Sequence, residues 1–138
     1  MTAVNANGES AGSAEVDATT LAGTAGVWGT ASMGAAVDGT GAAASFRFPQ
    51  GITTDGTNLY VTDDNDQTIR QIVIATGVVT TLAGAYVNSG GMPSDPGVGG
   101  SANGTGTATT FNNPLGITTD GTSLYICDTF NHTIRKMQ

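Results

Sequence analysis

FRFPQGITTDGTNLYVTDDNDQTIRQIV occupies Phe46–Val73, and FNNPLGITTDGTSLYICDTFNHTIRKMQ occupies Phe111–Gln138. The two superimpose without a gap at a spacing of 65 residues, Phe46 on Phe111 and Gly51 on Gly116. A tandem copy of this kind signals a supersecondary unit that stacks on further copies, because one such unit cannot bury its apolar surface alone.

The repetition extends outward from these stretches. Ala18-Thr-Thr-Leu-Ala-Gly23 returns as Val79-Thr-Thr-Leu-Ala-Gly84, and Asp38-Gly-Thr-Gly41 as Asn103-Gly-Thr-Gly106. The first pair is spaced by 61 residues and the second by 65, so the later copy carries four extra residues in its Gly-rich connection. Insertions between repeats belong to loops. Within a unit, short β-rich runs are fenced by turn residues. The spacing predicts strand A at Gly51–Thr54, an Asp55-Gly56 hairpin, strand B at Leu59–Thr62, strand C at Thr68–Ile74 and strand D at Val78–Leu82. The second unit repeats A at Gly116–Thr119, B at Leu124–Cys127 and C at Thr133–Met137. A leading D strand is expected at Ala18–Leu21. No 3.6-residue apolar stripe is sustained, so helix should be nearly absent. Four-stranded antiparallel units in series are the blades of a β-propeller. The expected organisation is a flexible lead-in at 1–15, then an outer strand of a preceding blade with its connection at 16–45. One blade with a long connection follows at 46–110, and a second blade lacking its outer strand at 111–138.

Composition agrees and narrows the functions. The 138 residues suit about one domain. With 38% apolar residues, 11% charged residues and 21 glycines, the chain has the profile of short strands joined by Gly-rich turns. The net charge is −7, and Arg47, Arg70, Arg135 and Lys136 cannot form a phosphate-tracking stripe, so nucleic acid is excluded as a partner. The single cysteine, Cys127, permits neither an intrachain disulfide nor a zinc knuckle. No apolar run reaches the roughly 18 residues of a membrane span, and no signal peptide is visible at the start.

The residues Phe111-x-x-Pro114-x-Gly116-Ile, Asp120-Gly, Leu124-Tyr-Ile-Cys-Asp128 and Asn131-His132-Thr-Ile134-Arg135 together resemble an NHL repeat. The first unit is similar through Pro49, Gly51, Leu59, Tyr60, Asp63, Ile69 and Arg70, and departs at Asp66 and Gln67, where the family prefers Asn-His. The resemblance covers most of residues 16–138 and implies an all-β propeller of NHL type, here an incomplete ring of about two blades. It leaves activity open, since one fold hosts many functions. Two blades cannot close a ring of about four to eight. Either further blades follow in cis, or Ala18–Leu21 pairs with the terminal strand of a neighbour and three copies make six blades. The missing outer strand leaves Thr133–Met137 as an open edge, an invitation to pairing.

Asp63-Asp-Asn-Asp66 is the densest carboxylate cluster. It lacks the glycine and terminal Glu of a calcium loop, so it reads as a B–C turn in which Asp63 and its mate Asp128 accept backbone N–H groups. Arg70 and Arg135 are expected to pair with the Asp at the end of strand B. Gly51 and Gly116 should permit close backbone packing, and Asn131 belongs to the same repeated framework. His132, the sole histidine, falls on the family's turn position, and one histidine cannot make a zinc site. Because strands alternate in direction, the B–C turns and the D–A connections share one face. The binding candidates on that face are Trp28, Asp64, Asp66, Tyr86, Phe130 and His132, with Asn65, Asn88 and Asn131 beside them.

The expected function is a non-catalytic binding or display scaffold. It would present a loop-rich, acidic face to a protein, peptide or glycan, without metal or cofactor. The alternatives are a propeller enzyme of the metal-dependent lyase or hydrolase type with its catalytic groups on other blades, and a self-assembling structural subunit closing a ring in trans. Richness in Thr, Asn, Ser and Gly, together with the resemblance, suggests an exported or cell-surface protein.

Overall fold

The structure is a computed structural model that describes residues 18–25, 36–87 and 97–138. Eight strands run in chain order: β1 (Gly39–Thr40), β2 (Pro49–Thr54), β3 (Asn58–Asp63), β4 (Thr68–Val73), β5 (Val78–Gly84), β6 (Pro114–Thr119), β7 (Leu124–Asp128) and β8 (Thr133–Met137). The only helical pieces among the described residues are four three-residue 3₁₀ turns, at Gly41–Ala43, Asp64–Asp66, Gly106–Ala108 and Thr129–Asn131. The protein is therefore all-β, as the repeat predicts. Strands A to D of the first unit are β2 to β5, and A to C of the second are β6 to β8.

Every pairing is antiparallel, giving one sheet of order β1-β5-β4-β3-β2 and another of order β6-β7-β8. Two features depart from the sequence reading. Ala18–Leu21 forms no strand, because a lone extended segment has no ladder without a partner, and none lies beside it among the described residues. Strand D is not the outermost element of the first sheet either. The incoming connection lays down β1 along β5, with Gly39 opposite Val79 and Thr40 opposite Val78.

The A–B hairpins are fixed by their aspartates. Asp55 Oδ1 accepts from the N–H groups of Thr57 (2.8 Å) and Asn58 (2.7 Å), and its Oδ2 accepts from the Tyr60 hydroxyl (2.8 Å). Asp120 does the same with Thr122, Ser123 and Tyr125. These donors hold both carboxyls below the usual aspartate range.

The first sheet packs apolar residues on both of its faces. Ile69 and Ala83 of the first sheet meet Phe111, Leu124 and Ile126 of the second. Ala44, Val61, Ile72 and Val79 form a separate cluster, with Ala22 and Phe46 packed against it. Val79 and Ala83 lie in different clusters despite their even spacing. A bulge in β5 causes this: Ile69 faces Ala83 but Arg70 faces Thr81, which inverts the alternation at Leu82.

Close contact between the sheets depends on Gly51. A Cβ there would collide with the Leu115 carbonyl oxygen of β6. Thr62 bridges the same joint: its hydroxyl accepts from Gly51 N (2.8 Å) and donates to Leu115 O (2.7 Å).

Candidate functional site

The B–C turns and the connections gather at one end of the sheets, as strand alternation predicts. Asp64 N donates to Phe48 O, Asn65 N to Arg47 O and Gly97 N to Asn65 O. In the second unit Phe130 N donates to Asn112 O. Each turn closes on a residue in the left-handed region, Gln67 (φ 58°) and His132 (φ 56°).

Below this end lies an arginine-centred joint that is built twice. Arg70 donates to Ser45 O, Val37 O, Asp38 and Asp63, and its guanidinium lies 5.1 Å from the Phe46 ring centroid. Arg135 donates to Thr110 O, Ala102 O, Asn103 and Asp128, with the Phe111 ring at 5.3 Å. Asp63 and Asp128 also accept backbone N–H groups, from Arg47 (2.8 Å) and Asn112 (2.7 Å). Both arginines are thus spent on carbonyls and carboxylates that fix the incoming connection to strand C.

The expected acidic face is corrected by the structure. Asp63, Asp64 and Asp66 are all buried. Asp66 pairs with Arg47 at 3.1 Å, both side chains being almost wholly enclosed, and it also accepts Ala36 N. A cluster of carboxylates is tolerable in the interior only when cations and N–H groups face it, and Arg47 is the cation the sequence reading missed. A signal for it existed. Arg47 and Asp66 become Asn112 and Asn131 in the second copy, so both members of the pair change together. There Asn131 donates to Asp128 (2.9 Å) and Gly100 O (2.7 Å) in place of the ion pair. Burial, then repulsion from Asp66, pushes the Asp63 carboxyl up to about 7, against the pull of Arg47 N–H and Arg70. Burial likewise raises Asp64 and Asp66.

The loops at this end expose apolar groups instead. Phe130 is 63% exposed, and Phe48, Val87 and Val98 are about half exposed. Tyr86 is half-buried, its ring 4.9 Å from the Arg47 guanidinium. His132 is exposed. Trp28 and Asn88 lie outside the described residues, as do residues 1–17. Among the described residues no group of three or more His, Cys, Asp or Glu could hold a metal ion. No described helix is long and apolar enough to cross a membrane.

No protein-family model matches the chain, and no curated protein sequence matches it significantly. Solved structures do. A structural-genomics protein of unknown function from Bacteroides thetaiotaomicron VPI-5482 is 29% identical with a TM-score of 0.62, over 79% of this chain and 26% of its own. An auxiliary nutrient binding protein from the same organism is 26% identical with a TM-score of 0.62, over 86% of this chain and 28% of its own. An auxiliary nutrient binding protein from Bacteroides ovatus ATCC 8483 is 27% identical with a TM-score of 0.58, over 74% of this chain and 25% of its own. The chain therefore spans about a quarter of the length of these similar proteins, and it shares with them an all-β fold of antiparallel sheets.

Proposed function

We propose that the chain is a non-catalytic binding module built from NHL-type propeller blades, which presents the B–C turn and connection face to a nutrient-class ligand, a glycan or a peptide. The likeness to two auxiliary nutrient binding proteins carries this reading. The geometry supports it. Arg47, Arg70, Asp63 and Asp66 of that end are paired internally, while Phe130, Val87 and Val98 are about half or more exposed. An exposed aromatic among half-exposed aliphatics offers a stacking surface for a sugar ring or an apolar side chain, and needs no acid–base pair. In this reading the protein acts outside the cytoplasm, where nutrient ligands are met.

Arrays of soluble oligosaccharides and peptides, followed by calorimetric titration of the retained class, test the proposal. Phe130→Ala should abolish or weaken binding at least tenfold with an unchanged melting temperature, because the side chain is mostly in solvent. Absence of binding across both arrays, or binding indifferent to Phe130→Ala, would sink it.

A further inference from the structure

The chain makes one joint between its sheets and presents both halves of that joint again on its outside. On the β4 side, Ile69 is 0% exposed against the second sheet, whereas its repeat mate Ile134 is 69% exposed. Thr62 is buried in the joint, and its mate Cys127 is exposed. On the opposite side, Ile117 packs into the shared core and Pro114 is buried, but their mates Ile52 and Pro49 lie exposed.

A cleft of about 1010 Å³ runs along β8, lined by Asn103, Phe111, Ile134, Arg135 and Met137 among others. In the first unit the corresponding space is filled by β5. There Ala83 faces Ile69, and Asp38 accepts from both the N–H and the hydroxyl of Thr81. At Gly84 a Cβ would collide with Gln67 O. Transferred by one repeat, the cleft asks for a strand that sets a threonine at Asn103, a small residue at Ile134 and a glycine at His132.

The chain carries such a strand. Ala18–Gly23 matches Val79–Gly84 at every position but the first. It belongs to no sheet, and Ala18–Leu21 are exposed. Its far end is already seated: Gly23 N donates to Gly41 O (3.0 Å), and Gly23 has φ +93° where Gly84 has φ +84°. Ala18–Gly23 thus stands against the Gly41–Ala43 turn much as β5 stands against Gly106–Ala108. Ala22 packs on the Val61 cluster, on the face of the first sheet away from the second, so the segment is turned from its own chain's cleft.

We propose that Ala18–Gly23 of one copy adds antiparallel to β8 of a second copy, completing the β6–β7–β8 sheet and joining copies head to tail. Strand addition of this kind draws on main-chain hydrogen bonds, with alternate side chains setting the register. Ile52 and the Gln50 carbonyl of the donor copy then meet Ile134 and Cys127 of the acceptor, as Ile117 and the Leu115 carbonyl meet Ile69 and Thr62 within the chain.

Sedimentation of the 138-residue chain across a concentration series, paired with hydrogen exchange, tests this. The wild type should gain mass with concentration while the Thr133–Met137 amides gain protection. Thr19→Pro removes the N–H that this register aims at β8, since its mate Thr80 lies opposite Gln71 while the Thr81 N–H turns away to Asp38. It should weaken association at least tenfold with an unchanged circular dichroism spectrum. A monomer at every concentration overturns the proposal. Association without protection at β8 overturns it too, as does association undiminished in Thr19→Pro.

Discussion

Asp63 shows how a residue that looks like a surface acid can belong to the interior. Its carboxyl is raised when folded and ordinary when unfolded, so the folded chain holds the proton more tightly. That contribution is fully present below about pH 4 and is lost as pH rises through about 7. Asp64 and Asp66 act in the same sense, whereas Asp55 and Asp120, held low by turn N–H groups, favour folding above about pH 4. The free energy of unfolding should therefore fall between pH 5 and pH 8, by on the order of 2–3 kcal/mol, as read from thermal melts. Asp63→Asn should flatten that slope, whatever it does to the absolute midpoint. An unaltered slope would assign the dependence elsewhere. At this scale the Asp–Arg joint was legible, because Asp63 with Arg70 and Asp128 with Arg135 recur at one spacing. The Arg47–Asp66 pair was hidden because it occurs only once, and a charge that is not repeated looks like a loop charge.

At the scale of the strand, identical sequence meets unequal surroundings. Gly51 and Gly116 open the same Gly-Ile-Thr-Thr run, yet only Gly51 faces another sheet at its Cβ position. A Cβ at Gly116 would meet only the Cys127 side chain, at 3.2 Å from Sγ. Gly51→Ala should cost about 1–3 kcal/mol through forced separation of β2 and β6. Gly116→Ala should cost much less in the isolated chain; urea denaturation of the two variants gives the comparison directly. Equal losses would show that the glycines serve strand conformation rather than the joint. The strands themselves were legible because period-two patterning and Asp-Gly turns are local signals. Strand β1 was not, since two residues carry no period and pair only because the connection runs along β5. Ala18–Leu21 has strand sequence without strand structure, because ladder hydrogen bonds are supplied by a neighbour and not by the segment itself.

At the scale of the molecule, the loop face and the two ends divide the labour. The face exposes Phe130 and half-exposed aliphatics, while the ends expose Ile52 and Ile134. The repeat made the blades legible from sequence. It did not disclose which groups of the face stay outside, because that depends on ion pairs between segments remote in sequence. Under the proposed strand addition, Ala18–Gly23 and the flank of β8 also have a consequence in polymer chemistry. Each chain would then be a bifunctional monomer with one donor and one acceptor, and its copies would grow linearly until geometry lets the last donor reach the first acceptor. A Thr19→Pro chain keeps its acceptor and loses its donor, which makes it a chain stopper. Doped into the wild type at a few per cent, it should lower the mean mass of open assemblies in proportion to its fraction, as read by light scattering. Growth that ignores the stopper would mean the copies meet through some other pair of surfaces.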